Sequence, residues 1–258
     1  MSVNTLVVKD LCKTYIVNKR QNNVLRNVNF SLEKGEFVSV MGPSGSGKST
    51  LLYAVSGMDK MTSGEVLFFG KNIAELSEDK MADLRLNEMG FVFQQMHMLR
   101  NLSVLDNIIL SAYHSKKGGS PANRREINEK AKELMRKFDI IETAENDITE
   151  VSGGQLQRAC ICRAMINDPK MIFADEPTGS LNSKAATEVM DKLNDLNREG
   201  ATILMVTHDI KVSARSDKVF YIVDGNIKGQ LVLGKYSDEE ETREREKKLS
   251  AWLVNLGW

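Results

Sequence analysis

The chain has 258 residues, of which 41% are hydrophobic, and its 35 basic and 35 acidic side chains cancel. That length can bury a substantial core, as one α/β unit or one unit carrying a subdomain, and we expect a compact unit with a helical lobe. Zero net charge excludes a global field that would recruit nucleic acid or an anionic membrane, so partner choice falls to local surfaces.

From the amino terminus, Met1–Asp10 lacks the charged region and long apolar core of a secretory leader. No window approaches the ~18 to 20 uninterrupted apolar residues that spanning a bilayer requires, so the subunit is expected to be soluble by itself. Cys12, Cys160 and Cys162 are odd in number and fit no C-x-x-C spacing, which suits a reducing cytosol and small buried hydrophobes better than metal or redox work.

Thr5–Tyr15 and Val24–Leu32 alternate apolar and polar residues, with Leu6, Val8, Val24, Val28 and Phe30 prominent, and read as antiparallel strands with one solvated face. A turn at Glu33-Lys34-Gly35-Glu36 leads into the apolar run Phe37–Met41. A glycine-rich loop and a helix over Lys48–Gly57 follow. Gly64–Phe69 is a further short strand, and Ser77 can cap a helix up to about Asn87. Ser103 with Asp106 reads as a capping box, opening a mostly helical stretch to about Ile148 that Lys116–Pro121 interrupts as a surface loop. Ser152 opens another helix to about Asn167; buried-type strands Lys170–Asp175 and Ala201–Thr207 then flank a helix over Ser183–Arg198. Asp224-Gly225 marks a hairpin between Val219–Val223 and Ile227–Leu233. In the tail, Ser237–Lys248 is a dense charge run, and Leu249, Trp252, Leu253 and Leu256 fall on one helical stripe.

The strand, glycine loop and helix around Gly42-Pro43-Ser44-Gly45-Ser46-Gly47-Lys48-Ser49-Thr50 match the complete G-x-x-x-x-G-K-S pattern of a phosphate-binding loop. A concave row of backbone N–H groups at a helix amino terminus is a low-cost way to hold a triphosphate. Gly42, Gly45 and Gly47 permit that path, Lys48 would lie on the β and γ phosphates, and Ser49 would give an oxygen to Mg²⁺. Asp175, at the end of an apolar strand, is expected to anchor Mg²⁺ through its waters, while Glu176 polarises the attacking water.

With Val151-Ser152-Gly153-Gly154-Gln155, Met171–Glu176 and His208, the set resembles the nucleotide-binding subunit of an ATP-binding cassette (ABC) transporter, from about Leu6 to Leu233. That resemblance implies a P-loop NTPase core of α/β class, with a mixed sheet, an antiparallel β subdomain and an inserted helical subdomain at about 95–165. The ATPase domain would span 1–235; the amphipathic 236–258 tail lies outside the common core, and its stripe is expected to dock on this subunit or its twin, with contact to the permease or the inner membrane face as the alternative. It also implies roles: Tyr15 stacks on adenine, Gln94 reaches Mg²⁺ and the water, and His208 hydrogen-bonds the γ phosphate and organises Glu176. Gln95 competes with Gln94, whereas His97 and His114 keep an ordinary surface or packing reading. Ser152, Gly153, Gly154 and Gln155 would complete the site of a second copy in a head-to-tail homodimer, which ATP closes and hydrolysis opens.

Gly90–Gln94, Phe173–Gly179 and Met205–Asp209 look most like the branch of macrolide exporters, lipoprotein-releasing systems and bacitracin-type resistance transporters. The implied partner is a bacterial membrane permease whose cytoplasmic helix would seat among Met96, Met98, Leu99 and Leu102. Membrane contact then runs through the permease, placing the subunit on the cytoplasmic face with no nucleic-acid partner. Two departures stand out: Val151 replaces the usual leucine, and Asn182 replaces the usual aspartate, keeping shape but losing charge. A soluble ABC ATPase acting on a non-transport partner is the alternative, although the second cassette or long coiled coil of such proteins is absent.

Overall fold

A computed structural model describes residues 4–115, 120–237 and 241–258. The expected loop at Lys116–Pro121 and part of the Ser237–Lys248 charge run therefore lie partly outside the described residues. Two compact units emerge, Met1–Met81 with Leu196–Trp258 and, separately, Ala82–Asp195, the division falling inside helices α2 (Glu78–Glu88) and α6 (Ser183–Arg198).

The first unit opens on a long antiparallel pair, β1 (Asn4–Val17) and β2 (Arg20–Glu33), extended by β4 (Ser63–Phe68) and the short β5 (Lys71–Asn72) in the order β2-β1-β4-β5. The expected alternation is interrupted by bulges. Asp10 and Asn27 take positive φ (47° and 49°), and the register of the pair shifts around Leu11. Each bulge inserts one residue, so the buried set passes from Leu6 and Val8 to Leu11 and Lys13 on β1. On β2, Leu25 rather than Val24 takes the core position for the same reason.

A mixed sheet in the same unit follows the order β10-β9-β3-β8. β3 (Phe37–Met41) lies parallel between β8 (Thr202–Val206) and β9 (Lys218–Val223), and all five of its residues are buried. A strand enclosed by parallel neighbours and covered on both faces must be apolar, which is why this run shows no alternation. β10 (Asn226–Val232) closes antiparallel on β9 through the Asp224-Gly225 turn, where both residues have positive φ. α1 (Lys48–Val55) follows β3, and the short α7 (Ile210–Ser213) follows β8.

The tail folds as α8 (Thr242–Asn255), and its apolar stripe docks on its own unit. Leu249 and Leu253 are fully buried against Met41, Ala214, Val219 and Tyr221, with Trp252 and Leu256 packed at the margin. Gly229 makes room for this: a Cβ there would stand 2.9 Å from the Trp252 ring. Arg245 supplies the polar half of the joint, its guanidinium donating to the carbonyls of Ala214 and Ser216 (both 2.7 Å) and of Gly234 (3.0 Å).

In the second unit, β6 (Met89–Phe93) and β7 (Met171–Asp175) pair in parallel, with Phe91 and Phe173 stacked at 5.6 Å. Around them run α3 (Val104–His114), α4 (Pro121–Lys137) and α5 (Gly153–Met165). The starts of α5 and α3 differ. Ser152 and Gln155 make the full reciprocal box at α5. At α3, the shorter Asp106 carboxylate accepts the Ser103 hydroxyl (2.9 Å) while the Ser103 oxygen caps the Asp106 amide. Cys160 and Cys162 are fully buried as expected, and burial pushes the Cys160 thiol up to about 11.

Leu253→Ala is expected to cost about 2–5 kcal/mol, the usual cost of a cavity at a buried leucine. The check is a thermal or denaturant melt, and the loss should appear although the site loops are untouched.

Candidate functional site

β3 ends at Met41 and hands the chain to Gly42, a position where backbone crowds backbone. A Cβ on Gly42 would lie 2.2 Å from the Ile222 carbonyl oxygen and 2.6 Å from the Ser46 hydroxyl, so no larger residue fits. Gly45 and Gly47 take positive φ (79° and 99°), a path that L side chains resist. Gly47 is the residue preceding α1, and no side chain caps that helix start. Its first amides therefore point into the loop, where an anion can accept from them.

Inside the loop, the Ser46 amide donates to the Pro43 carbonyl (3.2 Å), and the Lys48 ammonium donates to the carbonyls of Gly42 (2.8 Å) and Pro43 (3.0 Å). The Ser46 hydroxyl is buried with no hydrogen-bond partner. An orphaned hydroxyl costs free energy unless something pairs with it, and a phosphate oxygen would. Ser44, Ser49 and Thr50 complete the loop. The Gly225 amide donates to the Ser46 carbonyl (3.1 Å) while its own carbonyl accepts from the Arg26 amide (2.9 Å), so the β9–β10 turn braces the loop from outside. In the sequence Asp224-Gly225 reads only as a hairpin signal; nothing local tells that the turn is also a brace.

Tyr15, on β1, stands near the far end of the loop. Its hydroxyl hydrogen-bonds to Asp59 and to the side chain of Thr50, the last loop residue. Burial and the Asp59 carboxylate push the Tyr15 phenol up, so it donates. His208 is exposed just after β8. Its backbone is fixed by its neighbours: Asp209 caps α7 by accepting from the Lys211 amide (2.7 Å), and its own amide donates to the Thr207 hydroxyl (3.1 Å).

The second unit carries the acidic residues. Asp175 ends the fully buried β7 and is itself only 8% exposed. Glu176, next in line, has φ +46°, a left-handed backbone that costs a non-glycine residue about 1–3 kcal/mol and persists where surrounding structure enforces it. Gln94 and Glu176 come together over Gly179, where a Cβ would stand 2.8 Å from the Gln94 side-chain nitrogen and 3.1 Å from a Glu176 carboxylate oxygen. The Gly179 amide donates to the Glu176 carbonyl (3.1 Å). Asn182 caps α6, its side-chain oxygen accepting from the Ala185 amide (2.9 Å), a role asparagine and aspartate fill equally well.

At α5, Ser152 and Gly153 are exposed, and Gln155 closes the capping box. Gly154 is buried against α6, where a Cβ would meet the Ala185 Cβ at 2.9 Å. Further along α5, Gln157 donates to the Phe93 carbonyl (3.1 Å) and Arg163 to those of Met96 (2.6 Å) and His97 (3.0 Å). One helix thus carries the Ser152–Gln155 start and grips the backbone on both sides of Gln94. Of the expected groove residues, Met96, Met98 and Leu102 are half-buried and Leu99 is 47% exposed. Asn107, buried, holds this segment by hydrogen bonds to the Leu99 amide and the carbonyls of Leu99, Leu102 and Ser103.

Comparison with known proteins gives one consistent picture. The sequence profile of the ABC transporter family matches residues 25–179. The chain is 40% identical over 220 residues to the macrolide export ATP-binding/permease protein MacB of Chlorobium luteolum, covering 85% of this chain and 32% of that protein. It therefore spans about a third of that relative's length. It is 40% identical over 230 residues to the bacitracin export ATP-binding protein BceA of Halalkalibacterium halodurans, covering 89% of each. Among solved structures, the dimeric bacterial ABC transporter cassette MJ0796 superposes with a TM-score of 0.81 at 37% identity, covering 88% of this chain and 98% of that one. The same cassette in a post-hydrolysis dimer with ADP and Pi gives 0.79 at 35% identity, again over 88% and 98%.

Gly42→Ala is expected to cost about 1–3 kcal/mol through overpacking against the Ile222 carbonyl and to distort the loop. A melt and a nucleotide titration on the same sample should both move. An unchanged affinity would mean that the loop backbone is free to shift.

Proposed function

The chain belongs to the ABC transporter family, and from that premise we propose that it is the subunit that binds and hydrolyses ATP to drive a membrane permease. The two relatives named above are described as macrolide and bacitracin exporters, and by that analogy the cargo here is a hydrophobic or peptide-like compound. The observation that carries the nucleotide reading is the cradle: a loop path only glycines allow, an uncapped helix start and a buried hydroxyl awaiting an acceptor. The ATPase domain is 1–235, with a helical subdomain at about 95–165 and the 236–258 tail outside the common core.

In this reading the triphosphate lies along the amides of Gly42–Thr50, with Ser44, Gly45, Ser46 and Gly47 supplying the wall and Lys48 moving from the loop carbonyls to the β and γ oxygens. Tyr15 offers a ring face to the adenine. Ser49, Asp175 and Gln94 offer oxygen donors only, the donor chemistry of Mg²⁺. Mg²⁺, when bound, neutralises charge on the phosphates. Glu176, with Gln94 beside it, polarises a water for in-line attack on the γ phosphorus. The bond to the β–γ bridging oxygen breaks, and His208 steadies the γ oxygens. The strained backbone of Glu176 is what such a preset geometry requires.

Ser152 and Gly153 are exposed at the start of α5, which suits completion of a second copy's site. We therefore read a head-to-tail homodimer with two equivalent sites, closed by ATP and opened by phosphate release. Asn182 keeps the α6 cap but brings no charge, which weakens communication between the sites. The half-exposed Leu99 and its methionine neighbours suit a permease helix, placing the subunit on the cytoplasmic face of the membrane. Among the described residues no helix is long and apolar enough to cross a membrane.

Glu176→Gln removes the base and not the phosphate contacts. Turnover should fall about 100-fold or more. An ATP-stabilised dimer should then accumulate in multi-angle light scattering; a variant that stays monomeric at saturating ATP contradicts the reading.

A further inference from the structure

Asp59 joins elements that local sequence gives no reason to connect. α1 ends at Ser56 and the chain reverses through Gly57, with the amides of both Met58 and Asp59 donating to the Tyr53 carbonyl (2.9 and 3.1 Å). That reversal returns the Asp59 carboxylate to β1. One oxygen accepts from the Lys13 ammonium (2.6 Å), which also donates to the Lys60 carbonyl (2.6 Å); the other accepts from the Tyr15 hydroxyl. Lys13 is only 7% exposed, and its ammonium stands 4.5 Å from the centre of the Tyr15 ring. Burial alone would push the Asp59 carboxyl up, but hydrogen bonds from Lys13 and Tyr15 hold it below the ordinary carboxylate value.

The Tyr15 ring is thus held at its hydroxyl by Asp59 and Thr50 and backed by the Lys13 cation. A tyrosine so tethered has its rotamer freedom removed before any ligand arrives. We propose that Asp59 is a positioning residue for nucleobase binding: by clamping Lys13 and the Tyr15 hydroxyl together it presets the ring on which the base stacks. This rests on the reading of Tyr15 as the base platform. The consequence is architectural, since α1 begins at the phosphate loop and its carboxyl-terminal turn carries the clamp. Phosphate and base recognition are then two ends of one helix. A Lys13–Asp59 pair that merely ties β1 to the end of α1 would need no tyrosine hydroxyl and would not distinguish a nucleotide from a bare polyphosphate.

The test compares calorimetric binding of Mg²⁺-ATP with that of Mg²⁺-tripolyphosphate, which has the phosphates and no base, on the full chain. Tyr15→Ala first checks the platform: ATP should weaken about tenfold with tripolyphosphate unchanged. Equal weakening of both, or of neither, defeats the platform reading itself. With that control as expected, Asp59→Asn should weaken ATP roughly two- to tenfold and leave tripolyphosphate alone, and should cause no further loss in the Tyr15→Ala background. Because Asp59→Asn strands a buried lysine and can unfold the protein, Tyr15→Phe is the second probe, removing the tether and keeping both the ring and the ion pair. It should show the same selective loss. Normal ATP affinity in Tyr15→Phe, or an Asp59→Asn protein that is folded and weakened equally for both ligands, overturns the clamp.

Discussion

A triphosphate leaves water only if donors already aimed at it replace its hydration, and in this chain those donors are backbone amides on a path that side chains would block. The path is set from outside the loop. β3 enters between two parallel neighbours, and Gly42 passes so close to the Ile222 carbonyl that no Cβ fits. The Gly225 amide fixes Ser46 from the far side. Three stretches, around Arg26, Gly42–Thr50 and Ile222–Gly225, thereby make one object. Even the tail contributes, because Leu249 and Leu253 seal Met41, the residue before the loop. Little of this rigidity comes from α1 itself, whose eight residues would be marginal alone.

The second unit uses rigidity differently. Asp175 rides on a buried strand, so its position is as fixed as the sheet, whereas Glu176 is turned out by an unfavourable backbone angle and pressed toward Gln94 by the absence of a side chain at Gly179. Arg163 and Gln157 bind the flanks of Gln94 to the same helix that starts at Ser152. In the proposed cycle a displacement of that helix, by a second copy or a permease, reaches Gln94 through hydrogen bonds rather than loose packing.

Much of this was legible in the sequence because the informative signals are local. The glycine spacing of the loop, the buried run Phe37–Met41, the Asp224-Gly225 turn and the Leu249–Leu256 stripe each follow from short-range rules. Bulges were not legible: Asp10 and Asn27 carry no glycine to announce a positive φ, so Val24 was expected inward where Leu25 lies. Asp59, 44 residues from Tyr15, was invisible for a related reason, since only the reversal after α1 brings the two together. The Ser103–Asp106 capping box expected from sequence closes on one side only, because Asp106 is one methylene too short to reach back, whereas the full reciprocal box forms at Ser152 and Gln155.

The central claim is that each phosphate loop works only with the Ser152–Gln155 segment of another copy. Two defective variants test it: Lys48→Ala, which damages the loop, and Ser152→Asp, which keeps a good helix cap while placing negative charge where the phosphate would bind. Assayed for ATP hydrolysis, each alone should be inactive, and mixing them should restore activity, because a mixed dimer holds one site built from the intact loop and the intact segment. An active Ser152→Asp protein, or a mixture as inactive as its parts, would contradict the account.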